Sequence, residues 1–105
     1  MDAALKALAE PRRREILRLV WMRELPATDI ADHFAEVTRS AISQHLAVLK
    51  TARLVTERRD RTRRLYRADR NEMKKLRTFL EEYWTSGLER LREVAEAAQQ
   101  DKEKR

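Results

Sequence analysis

Thr38-Arg39-Ser40-Ala41-Ile42-Ser43-Gln44-His45-Leu46-Ala47-Val48-Leu49-Lys50 is the stretch on which the reading of this chain turns. The Thr38 hydroxyl can accept a backbone N–H that the first turn of a helix leaves without a partner. A helix then runs from about Arg39 to Ala52, and its residue types separate by face. Ile42, His45, Leu46 and Leu49 cluster on one side; Ser40, Ser43, Gln44 and Ala47 lie on the other, flanked by Arg39 and Lys50. One face belongs to a core. The other has small and amide side chains that permit close approach to base edges, with cations at its margins for phosphates.

Upstream, Leu5 and Leu8 give a first helix a short apolar face. Pro11 suits the first position of a second helix, where its missing N–H costs nothing. Ile16, Leu17, Leu19 and Val20 form that helix's stripe, with Arg12, Arg13, Arg14 and Arg18 largely outside it. After a break near Leu25 and Pro26, Ile30, Ala31 and Phe34 predict a short third helix ending around 35–37. The third and fourth helices together span about 26–52, the stretch that the family resemblance given below implies is a helix-turn-helix.

Downstream, Leu54, Val55 and Thr56 carry strand propensity, and Leu65 and Tyr66 resume it after Arg58-Arg59-Asp60-Arg61-Thr62-Arg63-Arg64. This predicts a basic-tipped hairpin, a wing over about 54–68. Eight arginines between Arg53 and Arg70 face only Glu57, Asp60 and Asp69 there. The turn lacks the glycine usual in tight hairpins, so the expectation is a loop longer than two residues or an unusual backbone angle at Asp60.

From about Asn71 to Ala98, Met73, Leu76, Leu80, Trp84, Gly87, Leu88, Leu91, Val94 and Ala98 return every three or four residues, and Phe79 and Tyr83 add aromatic area. A small core cannot easily cover a stripe of that length. The expectation is a helix that packs against a second copy of the chain, with folding back onto its own domain as the alternative. The polar tail 99–105 is expected to fray.

Bulk properties narrow the classes. The 105 residues fit one domain over 1–98; 24 Lys and Arg against 18 Asp and Glu give a net charge of +6, which favours a polyanionic partner. One glycine and two prolines leave little turn chemistry for an all-β chain, so the fold class is mainly α with a small β-hairpin, in the order α-α-α-α-β-β-α. The absence of cysteine excludes disulfides and thiolate metal sites and fits a reducing, cytoplasmic compartment. No signal peptide and no run near the ~20 apolar residues of a membrane span is seen. No nucleophile with a neighbouring base, Gly-rich phosphate loop or H-E-x-x-H pair is present, which argues against an enzyme and implies no cofactor. His33 and His45 could join Asp29 or Asp32 around a metal, but two histidines make a poor site. The expectation is no metal, with His33 exposed and His45 structural or close to phosphate.

Two segments carry a family resemblance. Ala7-Leu8-Ala9-Glu10-Pro11-Arg12-Arg13-Arg14-Glu15-Ile16-Leu17 resembles the opening signature of the arsenic-repressor (ArsR) family of bacterial regulators. Ser40-Ala41-Ile42-Ser43-Gln44-His45-Leu46-Ala47-Val48-Leu49, followed by Ala52-Arg53-Leu54-Val55, is similar to that family's recognition helix and its passage into the wing. The resemblance implies a winged helix-turn-helix homodimer whose interface lies on the first and last helices, here Leu5, Leu8, Phe79, Leu80, Tyr83, Trp84, Gly87, Leu88 and Leu91. Three departures stand out: Glu10 where the family often has Asp, Arg53 where it often has Gly, and no Cys pairs or His and carboxylate clusters like those of its metal-sensing branches.

The functional expectation is a sequence-specific regulator of transcription that binds double-stranded DNA, a repressor recognising an inverted-repeat operator as a homodimer. It would be cytoplasmic, bacterial, and associated with the nucleoid when bound. Thr38, Arg39, Ser40, Ser43, Gln44, His45 and Lys50 are the candidates on the recognition helix, and Arg59, Arg61, Arg63 and Arg64 those on the wing. Any effector is unknown: a small apolar molecule near Trp21, Tyr83 or Trp84 is one option, plain packing of those rings the other. An RNA-binding winged-helix module and a helical protein-interaction adaptor are the alternatives.

Overall fold

The computed structural model describes residues 1–103. Its elements are α1 (Asp2–Ala9), α2 (Pro11–Leu19), β1 (Leu25–Pro26), α3 (Ala27–Asp32), α4 (Arg39–Thr51), β2 (Val55–Asp60), β3 (Arg63–Ala68) and α5 (Arg70–Glu103). The chain divides into two compact units, Met1–Met73 and the part of α5 that begins at Lys74. The expected domain 1–98 takes in the first unit and most of the second.

In the first unit the apolar stripes converge as the sequence dictates. Ile16, Val20, Ile30, Ile42, Leu46, Leu49 and Leu54 are almost wholly withdrawn from solvent, with Ala7, Leu17, Phe34, Val55, Tyr66 and Ala68 around them. Burying each large side chain contributes about 1.5–3 kcal/mol. Pro11 opens α2 in its first turn, and the Glu10 carboxylate accepts the Arg12 N–H at 3.0 Å. The longer acid therefore still caps the helix.

Four local expectations are corrected. The third helix stops at Asp32, not at 35–37: His33 and Phe34 donate to the carbonyls of Ile30 and Ala31 in tightened turns. Phe34 is then free to enter the core, with the Arg12 guanidinium 5.2 Å from its ring centre. The hairpin gains a third strand, in the order β1-β3-β2, because Leu25 pairs with Tyr66 and Pro26 with Leu65. Two residues give no alternation to read, and proline is tolerated only on such an edge. The wing's turn is short: Asp60 pairs with Arg63, leaving Arg61 and Thr62 as a two-residue loop. The left-handed angle falls on Arg61, at φ 59°, not on Asp60. Finally, the helix of the second unit continues past Ala98 through Glu103, since Gln99, Gln100, Asp101 and Lys102 include no helix breaker. The expectation for residues 104–105 lies outside the described residues.

Arg53, the departure from glycine, adopts φ 64°. Its N–H donates to the Lys50 carbonyl and that of Leu54 to the Leu49 carbonyl, at 3.0 and 2.9 Å. This is a Schellman ending, sealed by the buried pair Leu49 and Leu54. A side chain with a Cβ is strained there. Arg53→Gly is expected to raise stability by about 1 kcal/mol in denaturant unfolding.

The second unit is one helix laced by the i,i+4 ion pairs Arg77–Glu81 at 2.7 Å and Arg92–Glu96 at 3.1 Å. Phe79, Leu80, Tyr83, Trp84, Leu88, Leu91 and Val94 are exposed along it. No helix among the described residues is long and apolar enough to cross a membrane.

Candidate nucleic-acid interface

Core packing decides which face of α4 is presented. Ile42, Leu46 and Leu49 are buried, and this turns Arg39, Ser40, Ser43, Gln44, Ala47 and Lys50 to solvent. The Thr38 hydroxyl accepts the Ala41 N–H at 3.1 Å, so its expected capping role is met. Arg39 reaches back to Asp32 at 3.3 Å, tying the start of α4 to the end of α3. Serines and an amide thus occupy an exposed helix face with a cation at each end.

His45 sits half-buried at the margin of that face. Its Nδ1 lies 3.4 Å from an Arg13 N–H, and Arg13 also donates to the carbonyls of Ala7 and Lys6 at the end of α1. A guanidinium only donates, so in this long contact Nδ1 is the acceptor. His33 is exposed and packs edge-on to Phe34 at 5.5 Å. Among the described residues no three His, Cys, Asp or Glu side chains gather where they could hold a metal.

The wing sorts its arginines by strand face. The register sets Arg59 opposite Arg64, Glu57 opposite Tyr66 and Val55 opposite Ala68 on one face, which carries the buried Val55, Tyr66 and Ala68. Arg58, Asp60, Arg63 and Arg67 occupy the other face. There Arg58 grips Glu24 through two hydrogen bonds of 3.1 and 2.6 Å, and Arg63 meets Asp60 at 3.5 Å. The Arg58 hydrogen bond holds the Glu24 carboxyl below the usual carboxylate range. Among the described residues Arg59, and Arg61 at the tip, have no carboxylate partner.

Glu57 is the acid on the first face. One of its oxygens accepts from both Lys50 Nζ and the Tyr66 hydroxyl, each at 3.1 Å; the other lies 3.9 Å from Arg64 Nε. The Lys50 hydrogen bond, reinforced by Tyr66, holds the Glu57 carboxyl below its ordinary value despite partial burial. Burial, then the Glu57 hydrogen bond, pushes the Tyr66 hydroxyl above its own. Both lowered carboxyls stay ionised at neutral pH, and their ion pairs fade only as acid carries the pH down through those lowered values.

Of the expected DNA residues, the structure therefore brings Arg39, Ser40, Ser43, Gln44 and Lys50 onto one exposed helix face. It sets Arg59 and Arg64 together on one wing face and Arg61 at its tip, and it turns Arg63 to the opposite face. Glu57 as a hub and the Glu24–Arg58 clasp were missed. The sequence showed Glu57 merely as a counter-charge and gave Glu24 no part, because contacts spanning 7 to 34 positions leave no periodic signal. Elsewhere in this unit, Trp21 lines a groove of about 400 Å³ with Leu8, Leu17, Met22 and Met73.

The model of the arsR family of bacterial regulatory proteins matches residues 10–57, from the cap of α2 into β2. The HTH-type transcriptional regulator Rv2034 of Mycobacterium tuberculosis is 44% identical over 87 residues, 83% of this chain and 80% of that protein. The transcriptional repressor SdpR of Bacillus subtilis is 39% identical over 59 residues, 56% of this chain and 64% of that protein. Among solved structures, an ArsR-like transcriptional regulator from Rhodococcus sp. RHA1 matches with a TM-score of 0.77 at 28% identity, covering 89% of this chain and 87% of that one. With the same helix-turn-helix and wing built from its own residues, the chain belongs to the arsR family of bacterial regulatory proteins.

Proposed function

We propose that this regulator is a cytoplasmic repressor that binds an inverted-repeat operator in double-stranded DNA as a homodimer, associating with the nucleoid when bound. The observation that carries the reading is the juxtaposition in one unit of the exposed Ser40, Ser43 and Gln44 face of α4 with the cationic face of the wing. Family membership places the chain among regulators rather than enzymes, and the relative named a repressor supports the sign of regulation.

Each subunit sets the first half of α4 in a major groove. Gln44 can donate and accept to an adenine edge in a bidentate pair, Ser40 and Ser43 allow close approach, and Arg39, His45 and Lys50 hold adjacent phosphates. Arg59, Arg61 and Arg64 track the backbone or enter a narrow minor groove. Arg63 takes the smaller part, since Asp60 partly neutralises it. The second copy covers the exposed apolar stripe of α5, with Gly87 in its middle, together with Leu5 and Leu8 of α1. Twofold symmetry then spaces two half-sites about one DNA turn apart.

Selection from a random duplex library at physiological salt tests the reading. An inverted repeat preferred over unrelated duplex and over RNA supports it; weak, sequence-indifferent binding favours a protein-interaction adaptor. Against the selected sequence, Gln44→Ala is expected to relax preference at one base position, at about 1–3 kcal/mol of discrimination. Arg61→Ala is expected to weaken all duplexes alike and to reduce the salt slope by about one. Equal losses on every sequence from both changes would contradict this division of labour.

A further inference from the structure

Glu57 puts a negative charge at the centre of a surface that otherwise attracts phosphate. Around it stand Lys50 of α4 and Arg64 of β3, with Arg59 directly opposite Arg64. Both paired cations are more than half exposed, whereas the Glu57 side chain is only 17% exposed. The acid is fixed and the cations are reachable. Tyr66, buried and paired with Glu57 across the strands, sets the carboxylate's position.

This single carboxylate also joins the two parts of the interface, because Lys50 closes the helix that meets bases and Arg64 belongs to the wing that follows the backbone. A phosphate drawn to either cation must displace its hydrogen bond or ion pair and accept repulsion from Glu57. Contacts made elsewhere on the duplex must offset that cost. Base contacts from the Ser43 and Gln44 face are made in full only on the matching sequence, so the cost falls hardest on DNA that lacks it. Built-in repulsion of the wrong partner is a general route to specificity.

We propose that Glu57 is a positioning residue that sets sequence discrimination: it holds Lys50 and Arg64 in place and suppresses binding to arbitrary DNA. The proposal rests on the DNA-binding reading above. Glu57→Gln removes the charge while its amide oxygen can still accept from Tyr66, so the wing keeps its anchor.

The test compares the wild-type chain, Glu57→Gln and Tyr66→Phe on two labelled duplexes, the selected sequence and a scrambled one of equal composition, across a salt series. Thermal unfolding of each chain confirms that it is folded. For Glu57→Gln the affinity for the scrambled duplex is expected to rise about fivefold and that for the selected duplex less than about twofold. The salt slope on the scrambled duplex steepens by about 0.9, one further phosphate contact. Tyr66→Phe, which leaves the carboxylate charged but loosely held, should shift the ratio the same way by a smaller factor.

A purely structural role for Glu57 would weaken both duplexes together and leave the slope unchanged; that result, or an unaltered ratio in a folded Glu57→Gln chain, overturns the proposal. Failure of the wild-type chain to bind either duplex in a salt-dependent way would instead overturn the DNA-binding reading itself, and the role of Glu57 with it.

Discussion

Leu49→Ala is expected to destabilise the chain by about 3 kcal/mol, a large share of the roughly 5–15 kcal/mol typical of a small domain. Leu49 has no exposed surface. It belongs to α4, and its carbonyl accepts the Leu54 N–H that turns the chain into the wing. The truncation therefore opens a cavity beneath the recognition helix and removes the apolar partner of Leu54 at the same bend. Thermal unfolding should show a midpoint lowered by more than about 10 °C. Val48→Ala, one residue away but 40% exposed, serves as the control and should cost well under about 1 kcal/mol. Equal effects from the two changes would mean that the α4 faces are wrongly assigned.

The largest expected effect on binding comes from α5. Trp84 and Leu88 stand four residues apart on one side of the helix and are 69% and 49% exposed. The double change Trp84→Glu with Leu88→Glu sets two charges where the proposed homodimer would bury apolar surface. Sedimentation should find a mass of two chains for the wild type and one for the variant. The helical circular-dichroism signal should change little, since glutamate is a good helix former. Affinity for a duplex with two half-sites should fall about 100-fold or more, because the second half-site no longer binds as part of one complex. On a single half-site the two proteins should bind alike. A wild-type chain that sediments as a monomer ends the homodimer proposal whatever the variant does.

How far the sequence was legible depended on how local the cause was. Pro11 and Thr38 declare their helix starts within four residues, and the two faces of α4 separate by spacing alone, so the exposure of Ser40, Ser43 and Gln44 is found without coordinates. The left-handed turn at Arg53 could be anticipated because arginine stands where a family resemblance leads one to expect glycine. The hairpin tip defied the same logic. The want of glycine pointed to a longer loop or to an unusual angle at Asp60, yet six paired positions between β2 and β3 hold Arg61 at the positive angle instead. Register is the harder loss. Once strand pairing is unknown, nothing says that Arg59 faces Arg64 while Arg63 faces Asp60, and four similar arginines cannot be told apart. β1 was invisible for a related reason, since a two-residue edge exists only through its partner β3.

Setting Arg59 across from Arg64 has a thermodynamic consequence. Like charges directly opposed on neighbouring strands disfavour the pairing that brings them together. The outer half of the wing is therefore less stable alone than its hydrogen-bond ladder suggests, and any polyanion that lies across both guanidiniums relieves the opposition. By linkage, a ligand that prefers the closed ladder also tightens it. Amide protons near Arg59 and Arg64 should exchange faster with solvent than those near Val55 and Ala68 in the free protein, and the two rates should converge when the wing is occupied. The wing is thus a segment whose order a bound polyanion would complete.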